Sequence, residues 1–275
     1  MILLALALVR AQAFPTISPI VTPTPASVSE RALLDSGLGD AAARAKAIGG
    51  SLGVEIVDLT TGADAQRSAS SAYPMAGLQR LPLAILVYRS VDAGSFSLAK
   101  NPAGSDATVA ELLARMLLHE DAAAQRTLIG ALGGTDAVDA QLRALGYDTI
   151  FFSPDGTGFA PPEALARLLS NLAQGKLLRP PSTKSLVDQL VKVQSAPQRL
   201  RAGLIPNARL AHQTGTLPGP GGVAQATNDA GIAYIEGHTV VIVAMLKSAG
   251  GGDSNRDAVI ADVGRTVVTA INAAP

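Results

Sequence analysis

The chain has 275 residues, 48% of them hydrophobic, which is enough to bury one large core or two modest ones. Its 22 basic residues balance 22 acidic residues, so no overall electrostatic field attracts nucleic acid or an anionic membrane. Aromatic residues make up only 3%, which disfavours stacking platforms for bases or sugars, and the lack of cysteine excludes disulfides, thiolate metal sites and thiol nucleophiles.

The first 27 residues are expected to lie outside the folded domain. Residues 1–13 contain the apolar run ILLALALV followed by AQA, a pattern typical of a signal peptide and its cleavage site. The run is too short to span a bilayer. Residues 14–27 carry four prolines and predict an extended linker. We therefore expect a secreted or periplasmic protein with no membrane-spanning segment in its mature form; an ordinary apolar tail is the alternative.

The folded domain is predicted to start with a helix and two strands. Residues 29–48 have helical spacing and end at paired glycines. Residues 51–70 predict two strands around a Thr-Gly turn. The stretch YPMAGLQRLPLAILVY, residues 73–88, then predicts a buried helix. Gly77 lies in its first turn and Arg80 follows three residues later, which places both on one helix face.

Helices are predicted to fill the middle of the chain. In TVAELLARMLLHE, Thr108 and Glu111 have the spacing of a capping box. The stretches AAAQRTLIGALGG and TDAVDAQLRALGY predict two further helices that end near glycine. In PPEALARLLSNLAQGKLL the prolines stand at the first positions, where a helix tolerates them.

Strands return near residue 208, in ARLAHQTGT and GVAQATNDAGIAYIE. The apolar run TVVIVAML predicts a covered central strand. A last amphipathic helix has Ser254 and Asp257 at capping spacing. This order predicts an α/β fold of the α+β type, in which N- and C-terminal helices cover a sheet. The sheet subdomain takes about residues 28–73 and 205–275, and an inserted all-helical subdomain takes about residues 74–204.

Three short segments differ from these structural patterns: residues 74–80 (PMAGLQR), 119–121 (HED) and 212–216 (HQTGT). In order and spacing they resemble the motifs of class A β-lactamases and related serine penicillin-binding proteins: S-x-x-K at a helix start, S-D-N, and K-T-G on a strand. The resemblance covers about residues 28–273. It implies the β-lactamase-like fold, with an antiparallel sheet, for the whole domain 28–275.

The resemblance also places unsuitable side chains at the family's catalytic positions. Gly77 stands for the serine nucleophile and has no hydroxyl. Arg80 stands for its lysine, but arginine does not deprotonate in proteins. Gln213 stands for the lysine of K-T-G, which removes a positive charge there. The residues that replace S-D-N are His119, Glu120 and Asp121.

The segment that corresponds to the family's omega loop is altered as well. Residues 147–160 (YDTIFFSPDGTGFA) are shorter than that loop and contain no glutamate to activate the deacylating water. Asp148 and Asp155 are present, but neither lies in a pattern that resembles E-x-x-L-N.

The leading hypothesis is a catalytically inactive homologue, a pseudoenzyme, whose cleft binds a small anionic or cell-wall-related ligand. The N–H groups of Gly77 and Thr216 match the family's oxyanion hole, and together with a helix N-terminus they favour an anion. The residues expected to bind this ligand are Gly77, Arg80, His119, Asp121, Thr214, Gly215 and Thr216.

Two enzymatic alternatives stay open. One is a hydrolase with a rebuilt, serine-independent site that uses His119 as a base; the other is a working β-lactam hydrolase, against which the missing serine argues. We expect no cofactor and no metal. At residues 119–121 in particular, adjacent helical residues point about 100° apart and so do not converge on one ion. His212 and His238 are interpreted as strand residues. We expect a monomer without a nucleic acid partner.

Overall fold

A five-stranded antiparallel sheet organises the fold in the computed structural model, which describes residues 28–153 and 155–273. The predicted signal peptide and linker lie outside these residues. The strand order is β2-β1-β8-β7-β6, and every neighbouring pair is antiparallel, which confirms the predicted fold class. The strands are β1 (Ser51–Asp58), β2 (Asp64–Arg67), β6 (Arg209–Leu217), β7 (Ala226–Ile235) and β8 (His238–Lys247).

The sheet separates two hydrophobic cores, and β8 contributes to both. Successive residues of a strand point to opposite faces. One face of β8 therefore joins the core formed with the helices in the middle of the chain, and the other joins the core formed with the terminal helices. The predicted covered central strand is confirmed. The residues of the first set are Val241, Val243 and Met245; those of the second are Val240, Ile242, Ala244 and Leu246.

The helices follow the predicted order, and none among the described residues is long and apolar enough to cross a membrane. The Thr108–Glu111 capping box is confirmed, since each side chain accepts a hydrogen bond from the backbone N–H of the other residue. The helices are α1 (Val28–Ala47), α2 (Arg80–Asp92), α3 (Val109–Leu118), α4 (Ala122–Ala131), α5 (Thr135–Ala144), α6 (Pro162–Ala173), α7 (Pro180–Leu190), α8 (Leu200–Gly203) and α9 (Gly252–Asn272).

Two local predictions are wrong. The last helix, α9, begins at Gly252 after a left-handed Gly251, and no side chain caps it. Asp257 instead forms an ion pair with Arg199, at 2.7 Å. The stretch 73–88 is also not one continuous α-helix, because Gly77 lies in a separate 3₁₀ turn, Ala76–Gln79, that precedes α2.

The segment that replaces the omega loop forms a small second sheet instead. Its strands are β3 (Tyr73–Pro74), β4 (Phe151–Phe152) and β5 (Gly158–Ala160), with β5 in the centre. Gly158 donates its N–H to the side-chain oxygen of Gln79 and accepts a hydrogen bond from the N–H of Met75, both at 2.8 Å. These hydrogen bonds therefore attach the 3₁₀ turn to the small sheet.

Candidate functional site

Gly77 lies in backbone contact with strand β6. A Cβ atom added at Gly77 would stand 2.1 Å from the backbone oxygen of Thr214 and 3.0 Å from the Cα of Gly215. A Cβ added at Gly215 would in turn stand 2.5 Å from the nitrogen of Gly77. Real Cβ atoms do not approach other heavy atoms closer than 3.0 Å. Both positions therefore require glycine for this close approach of the turn to the strand.

Asn228 holds the turn in this position. Its side-chain nitrogen donates to the backbone oxygens of Pro74, at 2.8 Å, and Met75, at 3.0 Å. Its side-chain oxygen accepts a hydrogen bond from the N–H of Leu246, at 3.2 Å. Asn228 is fully buried on β7. Because these bonds tie the residues before Gly77 to the sheet, the turn cannot move away from β6 without breaking them.

Arg80 begins α2 and points its guanidinium at the same place. Its side chain is only 12% exposed, and Nη1 lies 3.4 Å from Oε1 of Glu120. Nε and Nη1 are buried and make no hydrogen bond with any described residue. Burial lowers the pKa of Arg80, and the negative charge of Glu120 opposes this change. The guanidinium is therefore a largely buried cation that Glu120 contacts only at long range, through its carboxylate at 3.4 Å and its backbone oxygen at 3.5 Å.

A cavity of about 180 Å³ opens between these groups. The hydroxyl oxygens of Ser195 and Thr214 lie 2.7 Å apart, and the Thr214 hydroxyl lies 3.5 Å from Oε1 of Glu120. The last distance is long for a hydrogen bond between oxygens. The residues that line the cavity are Gly77, Arg80, Glu120, Ser195, Ala196, Thr214, Gly215 and Thr216.

Three residues predicted for the site do not line this cavity. His119 is exposed at the end of α3. Asp121 caps α4 and accepts hydrogen bonds from Arg115; backbone and arginine donors lower the pKa of its carboxyl. Gln213 is fully buried, with Nε2 at 3.4 Å from the backbone oxygen of Leu117. Of residues 119–121, it is thus Glu120 that reaches the cavity.

Glu120 reaches the cavity because its backbone is in the left-handed region, with φ of 55°. Ala76 and Ala196, at φ of 49° and 46°, share this conformation and also border the cavity or its turn. Such residues cost about 1–3 kcal/mol each and cluster at functional sites. None of the three positions carries a glycine that would signal the conformation in the sequence.

Two residues of the site were not indicated by any sequence pattern: Ser195 lines the cavity, and Arg199 supports the strand that borders it. Arg199 is buried beneath β6, where it donates to the backbone oxygen of Gly215 at 3.2 Å and to the hydroxyl of Thr216 at 2.6 Å. It also donates to the backbone oxygen of Asn228, at 3.0 Å, and to the carboxylate of Asp257, at 2.7 Å. Arg199 therefore fixes the end of β6 that borders the cavity. The sequence segment SAPQRLRAG has no periodic pattern that would have revealed either residue.

The omega-loop aspartates and His212 lie elsewhere. Asp155 accepts a hydrogen bond from the N–H of Thr157 within its own loop, and Asp148 is exposed. His212 is a buried strand residue whose Nδ1 lies 2.8 Å from Asp229. Burial lowers the pKa of His212, but the charge and hydrogen bond of Asp229 outweigh it, so the pKa is raised. None of these groups lines the cavity.

Comparisons with known proteins agree with the architecture. The β-lactamase enzyme family matches over residues 40–271. β-Lactamase L2 of Stenotrophomonas maltophilia is 28% identical over 92% of this chain and 91% of its own length. The solved structure of a β-lactamase from Chitinophaga pinensis has a TM-score of 0.81 and 26% identity, and covers 86% of this chain and 100% of its own. An ancestral class A β-lactamase has a TM-score of 0.77 and 32% identity, over 86% and 99%.

Proposed function

The chain belongs to the β-lactamase enzyme family, and from this premise we propose a class A-like member that lacks the serine mechanism and binds a small anion in its cleft. The observation that carries the proposal is Gly77 at the position of the family's nucleophile. It has no hydroxyl, and the 2.1 Å between a Cβ at this position and the Thr214 oxygen leaves no room for one. Arg80 at the lysine position stays protonated and does not act as a base.

Mass spectrometry tests the lost mechanism directly. After incubation with excess penicillin, we expect the intact protein to keep its mass, because no hydroxyl occupies the nucleophile position. Gly77→Ser is expected to leave hydrolysis of a chromogenic cephalosporin absent, since general acid–base assistance is typically worth about 10²–10⁴-fold and Arg80 supplies none. Multiple turnovers by this single variant would contradict the proposal, as would a stoichiometric penicillin adduct that Ser195→Ala abolishes.

A hydrolase with a rebuilt site is the second candidate. It is favoured by the carboxylate of Glu120, which lies in the cavity beside the hydroxyls of Thr214 and Ser195 and is within reach of a water molecule there. The exposed His119 is a weaker base candidate because it does not line the cavity. Turnover of ester or amide substrates by the wild type, lost in Glu120→Gln and kept in His119→Gln, would establish this candidate in place of the first.

A small anion fits the cleft better than a β-lactam. The cavity volume of about 180 Å³ is below the range of about 300–1,000 Å³ typical for drug-sized ligands. Arg80 is the first residue of α2, and its buried Nε makes no hydrogen bond with any described residue. Glu120 competes for the same guanidinium, so a bound anion must displace its carboxylate.

Thermal unfolding in increasing sulfate tests the anion site. We expect sulfate to raise the melting temperature of the wild type. In Arg80→Ala, the sulfate concentration needed for the same rise should be at least tenfold higher. Glu120→Gln is expected to strengthen it, because the competing charge is gone. Arg126→Ala, at an exposed position on α4, is the charge-matched control and should behave like the wild type. A large loss of stability in Arg80→Ala, with no sulfate dependence in either protein, would identify a purely structural ion pair.

Export completes the proposal. The AQA motif at residues 11–13 predicts cleavage after Ala13. N-terminal sequencing of the protein recovered outside the cytoplasm is expected to begin at Phe14; recovery of the full chain, with its apolar start, would contradict export.

A further inference from the structure

Three side chains of the types that bind metal ions converge at one edge of the sheet, far from the cleft. They come from distant parts of the chain: Glu30 from α1, Asp58 from the end of β1, and His238 from the start of β8. One ligand atom from each, a carboxylate oxygen or an imidazole nitrogen, lies within 4.8 Å of the other two. Within residues 28–153 and 155–273 this is the one such group of three.

The two carboxylates are buried and held in place by their surroundings. Glu30 is 1% exposed and Asp58 is 2% exposed, while the His238 side chain is 18% exposed. Oδ1 of Asp58 accepts hydrogen bonds from the N–H groups of Thr60, at 2.7 Å, and Thr61, at 3.4 Å. The Thr61 hydroxyl donates to Oε1 of Glu30, at 3.1 Å. Hydrogen bonds to the outer oxygens of carboxylates are the usual means by which proteins orient metal ligands.

The donor atoms of this group are those of a divalent metal site, because two carboxylate oxygens and one imidazole nitrogen lie together. The imidazole nitrogen disfavours Mg²⁺ and Ca²⁺, which prefer oxygen ligands, and favours Zn²⁺.

We propose that Glu30, Asp58 and His238 bind one Zn²⁺ ion, through one carboxylate oxygen each and Nδ1 of the imidazole, with water as the fourth ligand. Tetrahedral zinc with bonds of about 2.0–2.1 Å holds its ligand atoms about 3.3 Å apart. Nδ1 of His238 and Oδ2 of Asp58 are now 2.5 Å apart, so they separate slightly when the ion enters between them. Any hydrogen that Nδ1 donates to Oδ2 must leave Nδ1 before the ion binds there.

The ion would stabilise the fold and take no part in the chemistry of the cleft. His238 pairs with Ile235 at one end of β7, whereas Thr216, at the cleft, pairs with Thr227 at the other end. Eight residues of strand separate the two ends, which is about 26 Å. Zinc at Glu30, Asp58 and His238 would join α1 to the loops that follow β1 and β7.

Zinc titration of the full chain, prepared without a histidine tag and treated with EDTA, tests the site. We expect one Zn²⁺ per chain by elemental analysis after gel filtration, and a melting temperature that rises with zinc concentration. His238→Gln and Glu30→Gln should each bind zinc at least tenfold more weakly. His119→Gln is the matched control: it removes an exposed histidine and should bind like the wild type.

Several outcomes would overturn the proposal. They are the absence of zinc from the wild type, binding that persists in both His238→Gln and Glu30→Gln, and binding that is lost in His119→Gln. An equal rise in melting temperature with Ca²⁺ would also overturn it, since the imidazole would then play no part. Should His238→Gln fail to fold, Glu30→Gln alone decides, because it keeps the hydrogen-bonding shape of the side chain and removes only the charge.

Discussion

Gly77→Ala isolates the contact between the 3₁₀ turn and β6, because it adds a Cβ and no hydroxyl. The new atom would stand 2.1 Å from the Thr214 oxygen, so the two backbones must separate by about 1 Å to reach an allowed contact. Overpacking typically costs about 1–3 kcal/mol. We expect the upper end, because the obstacle is a backbone atom and Asn228 resists the movement. Alanine returns about 0.4–1 kcal/mol, because it reduces the conformational entropy of the unfolded chain. The free energy of unfolding should therefore fall by about 2 kcal/mol.

Gly130→Ala is the matched control for this change. Gly130 lies near the end of α4, and a Cβ added there has no atom within 4 Å. Alanine should stabilise this site by about 0.5–1 kcal/mol. Urea unfolding followed by circular dichroism compares both variants with the wild type. The free energy of unfolding should depend on urea concentration with the same slope in all three proteins. If Gly77→Ala were as stable as Gly130→Ala, the backbones at residues 77 and 214 would not be in contact, and the steric argument against a serine would fail.

Two further changes test the electrostatics of the fold. Burial and two neighbouring carboxylates raise the pKa of Glu55 to about 7, so its contribution to stability is greatest below about pH 4.5 and declines as the pH rises through 7. Glu55→Gln should therefore raise the free energy of unfolding by about 1–2 kcal/mol at pH 8, after a discount for partial exposure, and change it little at pH 4.5. Equal effects at both pH values would contradict this. Asp257→Asn should lower the free energy of unfolding by about 3–5 kcal/mol, because it leaves the buried charge of Arg199 without its charged partner. The same change at the exposed Asp35 should lower it by less than about 1 kcal/mol. A similar loss at both positions in urea unfolding would refute the role of burial.

Local signals account for the part of the fold that the sequence predicted. The capping box at Thr108 joins residues three apart, and the alternation of β8 between two cores needs only its own run of apolar residues. The capping pair predicted at Ser254 and Asp257 has the same spacing but does not form. Asp257 is taken by Arg199, 58 residues away along the chain, and a local pattern holds no information on such a partner.

The site was predictable in position but not in its inner surface. The three motif-like segments do meet at one place, yet Glu120 faces the cavity where the alignment of motifs had favoured His119. The difference depends on the left-handed backbone at Glu120, a conformation that a glutamate does not announce in sequence. Ser195 lines the same cavity from a segment without any motif, so only the tertiary fold reveals it.

Under the proposed function, the changes in the cleft depend on one another. A side chain at position 77 needs space between the turn and β6, and glycine allows the two backbones to close that space. The small neighbour Gly215 and the clamp by Asn228 then stabilise the closed arrangement. Residues in contact do not contribute additively to stability. A serine restored at position 77 must therefore displace a hydrogen-bonded backbone before it can meet a substrate, and Arg80 would still deny it a base.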